Sequence, residues 1–233
     1  MIILSSQEAY RTKEELYISV RNAEHRVISD EILKVLPYPP QYYVHYDEWH
    51  IRARSFERFS HSLKKKSLNI LDLGCGNGWM ANKLYQSGHR VTGVDINLVE
   101  LEQAVKVFGS NERLQWVYTD ILKDGVTNYP FDLIVLGASC QYFHDITALT
   151  NTLRNLLVPD GTIHLLDSFF YTKSDVGAAV QRTKDYYLNI GYPQMAEYYH
   201  HHLSEDLKAA GYRKHYPGIF SLSKKPEWWI LNK

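Results

Sequence analysis

From residue 68 onward the chain alternates between short apolar runs and stretches in which apolar side chains recur every three or four positions. A short apolar run bounded by turn residues suits a buried strand, and a 3.6-residue recurrence suits an amphipathic helix lying on it. The pattern places strands at 69–73, 90–95, 114–119, 131–137 and 162–167, with 131–137 so uniformly apolar that it belongs at the centre of a sheet. Between them, Met80, Ala81, Leu84 and Tyr85 share one helical stripe that ends near Gly88. Leu98, Leu101, Val105 and Phe108 share a second, stopped by Gly109. Ile146, Leu149, Leu153 and Leu156 form a third, with Asp145 as its N-cap. Pro159-Asp160-Gly161 reads as a turn into the fifth strand. Ser204 is a cap for a last helix reaching Ala210, before two late strands near 215–222 and 227–231. Strands alternating with helices define an α/β fold: a three-layer, doubly wound, mostly parallel sheet.

Two segments stand outside this alternation. Residues 1–63 read as helical, with Asp47 capping a helix that carries Trp49, Ala53, Phe56 and Leu63 on one face, after a break at Pro37-Tyr38-Pro39-Pro40. Residues 169–203, roughly, form a helical insert in which Val176, Ala179, Val180, Thr183 and Tyr187 share a stripe and Pro193 starts a further helix. The division expected is an N-terminal helical extension, 1–63, and a main domain, 64–233, carrying the insert. Neither segment is required to build the sheet, and together they read as a cap.

Composition narrows the partners. Among 233 residues, 45% are hydrophobic and 22% charged, as in a folded globular protein. Lys plus Arg equals Asp plus Glu at 26 each, so no net field favours nucleic acid. Two cysteines, Cys75 and Cys140, do not make a disulfide framework and suit a reducing compartment. The first residues do not read as a signal peptide, and no apolar run is long enough to span a bilayer, so a cytoplasmic protein with no membrane partner is expected. The eighteen tyrosines and five tryptophans are the compositional excess, fit for cores and ligand pockets alike. Oligomeric state is not written in these patterns.

Candidate chemistry concentrates in ILDLGCGNGWM, residues 70–80, where a strand ends in an acid and three alternate glycines precede a helix. Glycines there let a ligand lie against bare backbone. Asp72, Gly74, Gly76 and Gly78, with Cys75 and Asn77 between them, resemble the first motif of class I S-adenosylmethionine (SAM) dependent methyltransferases. Asp95 ends the next strand, where a carboxylate can accept hydrogen bonds from both ribose hydroxyls. The resemblance assigns it that role on the adenosine. It places Asp120 and Ile121 at the adenine edge, Ile96 on the adenine face, and Gly137, Ala138 and Ser139 beside the methionine portion. It also implies a terminal antiparallel hairpin. A dinucleotide fold would carry G-x-G-x-x-G; here the bulky Trp79 stands where the third glycine would fall.

The acceptor is less constrained. The family's Asp/Asn-Pro-Pro-aromatic motif for amide and nucleobase nitrogens is replaced by Gly137-Ala138-Ser139-Cys140, which points to a small-molecule acceptor and away from nucleic acid. An acid that would mark aminopropyl transfer is likewise absent from that region. His144 is the first candidate for a general base, with a loop histidine as its alternative. Tyr142, Tyr171, Arg182 and Tyr186 are candidate acceptor contacts, and Trp49 and Arg52 can cover the cofactor, with a cation–π contact to the sulfonium. Three successive histidines, His200, His201 and His202, point in different directions on a helix, so no metal site is expected. Lys64-Lys65-Lys66 reads as a charged helix end. Two rival functions stay open: a SAM-binding protein without catalysis, and an NAD(P)-dependent oxidoreductase.

Overall fold

The computed structural model describes residues 1–63, 67–215 and 227–233. Among them the strands are β1 (Ile2–Ile3), β2 (Asn69–Leu73), β3 (Arg90–Asp95), β4 (Leu114–Tyr118), β5 (Phe131–Gly137), β6 (Leu157–Ser168), β7 (Arg213–Lys214) and β8 (Glu227–Asn232). They form one sheet in the order β1-β4-β3-β2-β5-β6-β8-β7. The pairings from β1 through β6 are parallel, while β8 runs antiparallel to β6 and β7 antiparallel to β8.

The helices are α1 (Gln7–Ala23), α2 (Asp30–Val35), α3 (Tyr46–Ser62), α4 (Trp79–Gln86), α5 (Leu98–Phe108), α6 (Ile146–Asn155), α7 (Val176–Asn189) and α8 (Ser204–Ala209). Side chains alternate across the central strands, so a strand such as β5 feeds two cores. Leu133 and Val135 of β5 pack with α3, α4 and α5 through Phe59, Leu84 and Leu101. Ile134 and Leu136 of the same strand pack with α6 and α8 through Leu149, Leu153 and Leu207. Strands buried on both faces account for the near-continuous apolar runs, and the three layers are those expected from sequence.

Several details differ from the sequence reading. Ile2–Ile3 extends the sheet by pairing with β4, so the N-terminal segment is not wholly helical. Its apolar start is the signal: a two-residue edge strand is too short to show period two. α3 begins at Tyr46 with His45 at the cap, and Asp47 sits in its first turn instead of capping it. α8 has Leu203 at its cap and no side-chain cap hydrogen bond, so Ser204 lies inside the helix. Pro159-Asp160-Gly161 lies within β6, where the register against β5 shifts between Phe131 and Leu133. The segment at Pro193–Tyr198 is a 3₁₀ helix. Of the two late strands, β8 is present, the other is Arg213–Lys214, and 216–226 lies outside the described residues, as does Lys64-Lys65-Lys66. Asp145 caps α6 as expected, accepting from the Thr147 and Ala148 N–H groups at 2.8 and 3.0 Å.

The order of the strands reverses at β2. From it the chain steps to β3 and β4 on one side and to β5 and β6 on the other, and the crevice at the carboxyl ends of such strands is where open α/β sheets bind ligands. Among the described residues no helix is long and apolar enough to cross a membrane.

Candidate functional site

The glycine loop is folded against β3. The Gly74 and Cys75 N–H groups both donate to the Val94 carbonyl, at 2.8 and 3.0 Å. Gly78 opens α4 with φ of +76°, and a Cβ there would lie 2.4 Å from the Trp116 ring, so only glycine fits. A Cβ on Gly74 would lie 2.4 Å from that of Ser139, whose hydroxyl donates to the Leu73 carbonyl at 2.7 Å.

Asp95 locks this arrangement. Its Oδ2 accepts the Gly76 N–H at 2.7 Å and its Oδ1 accepts that of Asn97 at 2.9 Å. Burial raises its pKa, while these backbone donors pull it back down. Glu100, in the first turn of α5, lies over the loop: a Cβ on Gly76 would be 3.0 Å from its Oε2. Burial, with the Asp95 charge adding to it, pushes Glu100 up to about 7. Asp72, expected to touch the cofactor, does not reach the cleft. It is fully buried beneath the loop, neither carboxylate oxygen makes a well-formed hydrogen bond among the described residues, and burial, with the Asp95 charge, pushes it up to about 7 against the nearby Ala81 N–H. Gly78 is also off the cleft wall; its task is the strand-to-helix turn.

Gly74, Cys75, Gly76, Asn77, Asp95, Ile96, Asp120, Ile121, Gly137, Ala138 and Ser139 all line one cleft of about 1290 Å³. Ala138 holds φ of +55° at the end of β5, and Asp167 holds +56° near the end of β6. Such backbone strain in non-glycine residues concentrates at functional sites. Asp120 is in place but engaged: its Oδ2 accepts the Tyr10 hydroxyl at 2.7 Å and its Oδ1 the Leu122 N–H at 3.1 Å.

The opposite wall comes from α1, α3, α7 and the 140–144 turn. Trp49 is buried and packs edge-on against Trp79 at 5.4 Å, so the residue that replaces a third glycine anchors α3 to the loop. The Arg52 guanidinium lies 5.2 Å from the Trp49 ring and pairs with Glu48 at 3.0 Å. The cation on that ring is therefore the chain's own. Burial alone would raise Glu48, but Arg26 and Arg52 hold it down to about 2. Tyr142, Tyr171, Arg182, Tyr186 and His144 all line the cleft. Tyr186 donates to Glu24 Oε1 at 2.6 Å, tying α7 to the end of α1. His144 is exposed at the mouth, its ring 4.9 Å from that of His200. His201 meets Thr183 Oγ1 at 2.9 Å and His202 the Cys140 carbonyl at 3.1 Å. Among the described residues no cluster of His, Cys, Asp or Glu can hold a metal ion.

Sequence reasoning missed the contribution of α1, which presents Lys13, Glu14, Tyr17 and Arg21 to the cleft, and it missed Glu100. The α1 signal was present: positions 10, 13, 14, 17 and 21 share one helical face, but the face is polar and aromatic instead of apolar.

The fold and this site define the class: a Rossmann-like class I SAM-dependent methyltransferase. The chain belongs to the family described as "Methyltransferase domain", whose model matches residues 43–216, about three quarters of its length. An uncharacterised methyltransferase of Mycobacterium tuberculosis (strain ATCC 25618 / H37Rv) is 33% identical over 94 residues, 40% of this chain and 47% of the relative. The matched region thus spans about half the length of that relative. The tRNA 5-carboxymethoxyuridine methyltransferase of Escherichia coli (strain K12) is 26% identical over 119 residues, 48% of this chain and 45% of the relative. Among solved structures, magnesium protoporphyrin IX methyltransferase from Synechocystis PCC 6803 with bound SAM superposes with a TM-score of 0.56 at 15% identity, over 86% of this chain and 89% of that one.

Proposed function

We propose that this protein transfers the methyl group of SAM to a small-molecule acceptor held between the strand ends and the helical cap. The observation that carries the reading is Asp95, pinned by the Gly76 and Asn97 N–H groups at the mouth of the glycine loop with lone pairs left for a diol. The residues fit SAM better than a dinucleotide. Glu100 lies over Gly76, where a pyrophosphate would meet carboxylate instead of open N–H groups.

SAM supplies an electrophilic methyl on a sulfonium. The chain's part is to hold and exclude. Asp95 would accept from the ribose hydroxyls, Ile96 would pack on the adenine face with Asp120 and Ile121 at its edge, and the bare backbone at Gly74 and Gly76 would let the methionine portion lie close. Direct displacement needs the nucleophile in line with the breaking bond and water kept out. The cap would serve both ends, and the cleft exceeds the ~300–1,000 Å³ that usually holds one drug-sized ligand, so a second molecule has room. His144 at the mouth is the candidate base for an acceptor hydroxyl or amine. The balance of 26 basic and 26 acidic residues supports a small acceptor over tRNA.

Calorimetry with SAM, S-adenosylhomocysteine and NAD⁺ tests the reading: binding of NAD⁺ but neither SAM compound sinks it. Asp95→Ala is expected to weaken SAM binding by roughly 1–3 kcal/mol, and an unchanged affinity removes the ribose assignment. Once a substrate screen finds turnover, His144→Ala should depress kcat; full retention makes His144 structural.

A further inference from the structure

Arg21, near the end of α1, is an oddly placed cation. Its side chain is 23% exposed, and its one ion pair among the described residues is a single contact from Nη1 to Glu24 at 3.3 Å. Its Nε–H is buried with no acceptor. A guanidinium offers five donors in a fork made for a carboxylate. Glu24 does not fill that fork, because it also takes the Tyr186 hydroxyl at 2.6 Å and lies 3.5 Å from Arg26 Nε.

The surroundings are aromatic. The guanidinium carbon lies 5.6 Å from the centre of the Tyr17 ring. Tyr17 meets Tyr142 edge-on at 5.8 Å, and Tyr142 meets Tyr199 at 6.1 Å. Val20, Tyr187 and Met195 complete an apolar cluster. Tyr17, Val20 and Arg21 come from α1, Tyr187 from α7, Met195 and Tyr199 from the segment after α7, and Tyr142 from the turn that leaves β5, so the cluster borders the strand ends that frame the adenosine site. In the linked network, Arg21, Arg26 and Arg52 meet Glu24 and Glu48, which leaves one positive charge for a monoanion. Glu100 also faces Arg21 and counters part of that charge when ionised.

We infer that Arg21 is the seat for a carboxylate on the methyl acceptor, whose flat apolar body lies among Tyr17, Tyr142 and Tyr199. The assignment deepens the proposed function and rests on it for the word acceptor. The probe is 4-hydroxybenzoate, titrated calorimetrically into the full chain with and without S-adenosylhomocysteine, beside 4-hydroxybenzamide and acetate. The acid is expected to bind at least tenfold more tightly than either comparator. Arg21→Gln should weaken the acid about tenfold or more, leave the amide unchanged and keep S-adenosylhomocysteine within twofold. Arg21→Lys, which keeps the charge but loses the fork, should fall between, and thermal melts of both variants verify folding. Equal binding of acid and amide, no binding of the acid, or an acid affinity indifferent to Arg21→Gln overturns the inference. So does a variant that loses S-adenosylhomocysteine and spares the acid, since Arg21 would then serve the cofactor's own carboxylate. Arg21-dependent binding of the acid in a protein that ignores SAM and S-adenosylhomocysteine would instead overturn the methyl-transfer reading and leave the anion seat standing.

Discussion

On the strand-end wall of the cleft, the ligand-facing groups are backbone, or side chains pinned by backbone. On the cap wall they are long side chains that pin one another. Asp95 is fixed by two N–H groups and Ser139 by a carbonyl, whereas Arg26, Arg52, Glu24, Glu48 and Tyr186 hold each other across three helices. The first kind of wall cannot be changed without disturbing the sheet. The second can be rebuilt one side chain at a time, which suits a fold whose members share a cofactor site and differ in what they act on.

The largest effect should come from testing that contrast with one methyl group in the element behind each wall, the turn into α4 and the first turn of α7. Gly78→Ala forces a Cβ toward the Trp116 ring at a φ of +76°, and is expected to cost about 2–4 kcal/mol in urea denaturation. Gly177→Ala, in α7, meets nothing within 4 Å and should stabilise by a few tenths to about 1 kcal/mol. Equal costs at the two positions would erase the distinction between a rigid and an adjustable wall.

This difference also governs what could be read from the chain. The strand-end wall is nearly contiguous: the glycine loop, Asp95 and the 137–139 lead-out each follow a strand whose apolar run marks it, so fold and cofactor frame were legible. The cap wall joins residues as distant as Glu24 and Tyr186, and local periodicity carries no information about such pairs. Tyr142, Arg182 and Tyr186 could be named as pocket residues, but not that Tyr186 would meet Glu24. Asp72 shows the converse failure. Its place in the motif suggested a ligand contact, yet the strand's alternation turns it beneath the loop, away from the cleft.

Asp72 gives the next effect in size. Its pKa is raised by burial to about 7, so the folded state favours the neutral acid. The stability this contributes is fully present below the unfolded value of ~3.9 and is lost as pH rises to about 7. Asp72→Asn removes that loss. Between pH 5 and pH 8 the variant should gain about 1–3 kcal/mol relative to wild type in urea denaturation. Glu100 titrates in both proteins and cancels. A difference independent of pH would mean that Asp72 is already neutral, or already paired, throughout the range.

The smallest effect is expected where the two walls meet. Tyr10 of α1 donates to Asp120 at 2.7 Å, on the carboxylate that the resemblance assigns to the adenine amino group. Lys123 lies 3.6 Å from the same oxygen, so that carboxylate is not short of partners. If adenine and Tyr10 compete for it, Tyr10→Phe should cost under ~1 kcal/mol of stability and tighten SAM binding severalfold, because the cofactor no longer displaces a hydrogen bond. If α1 is instead part of the cofactor's own seat, the same variant should weaken SAM binding. The sign of that change, read by calorimetry beside a thermal melt, decides whether α1 belongs to the adjustable cap or to the fixed wall beneath it.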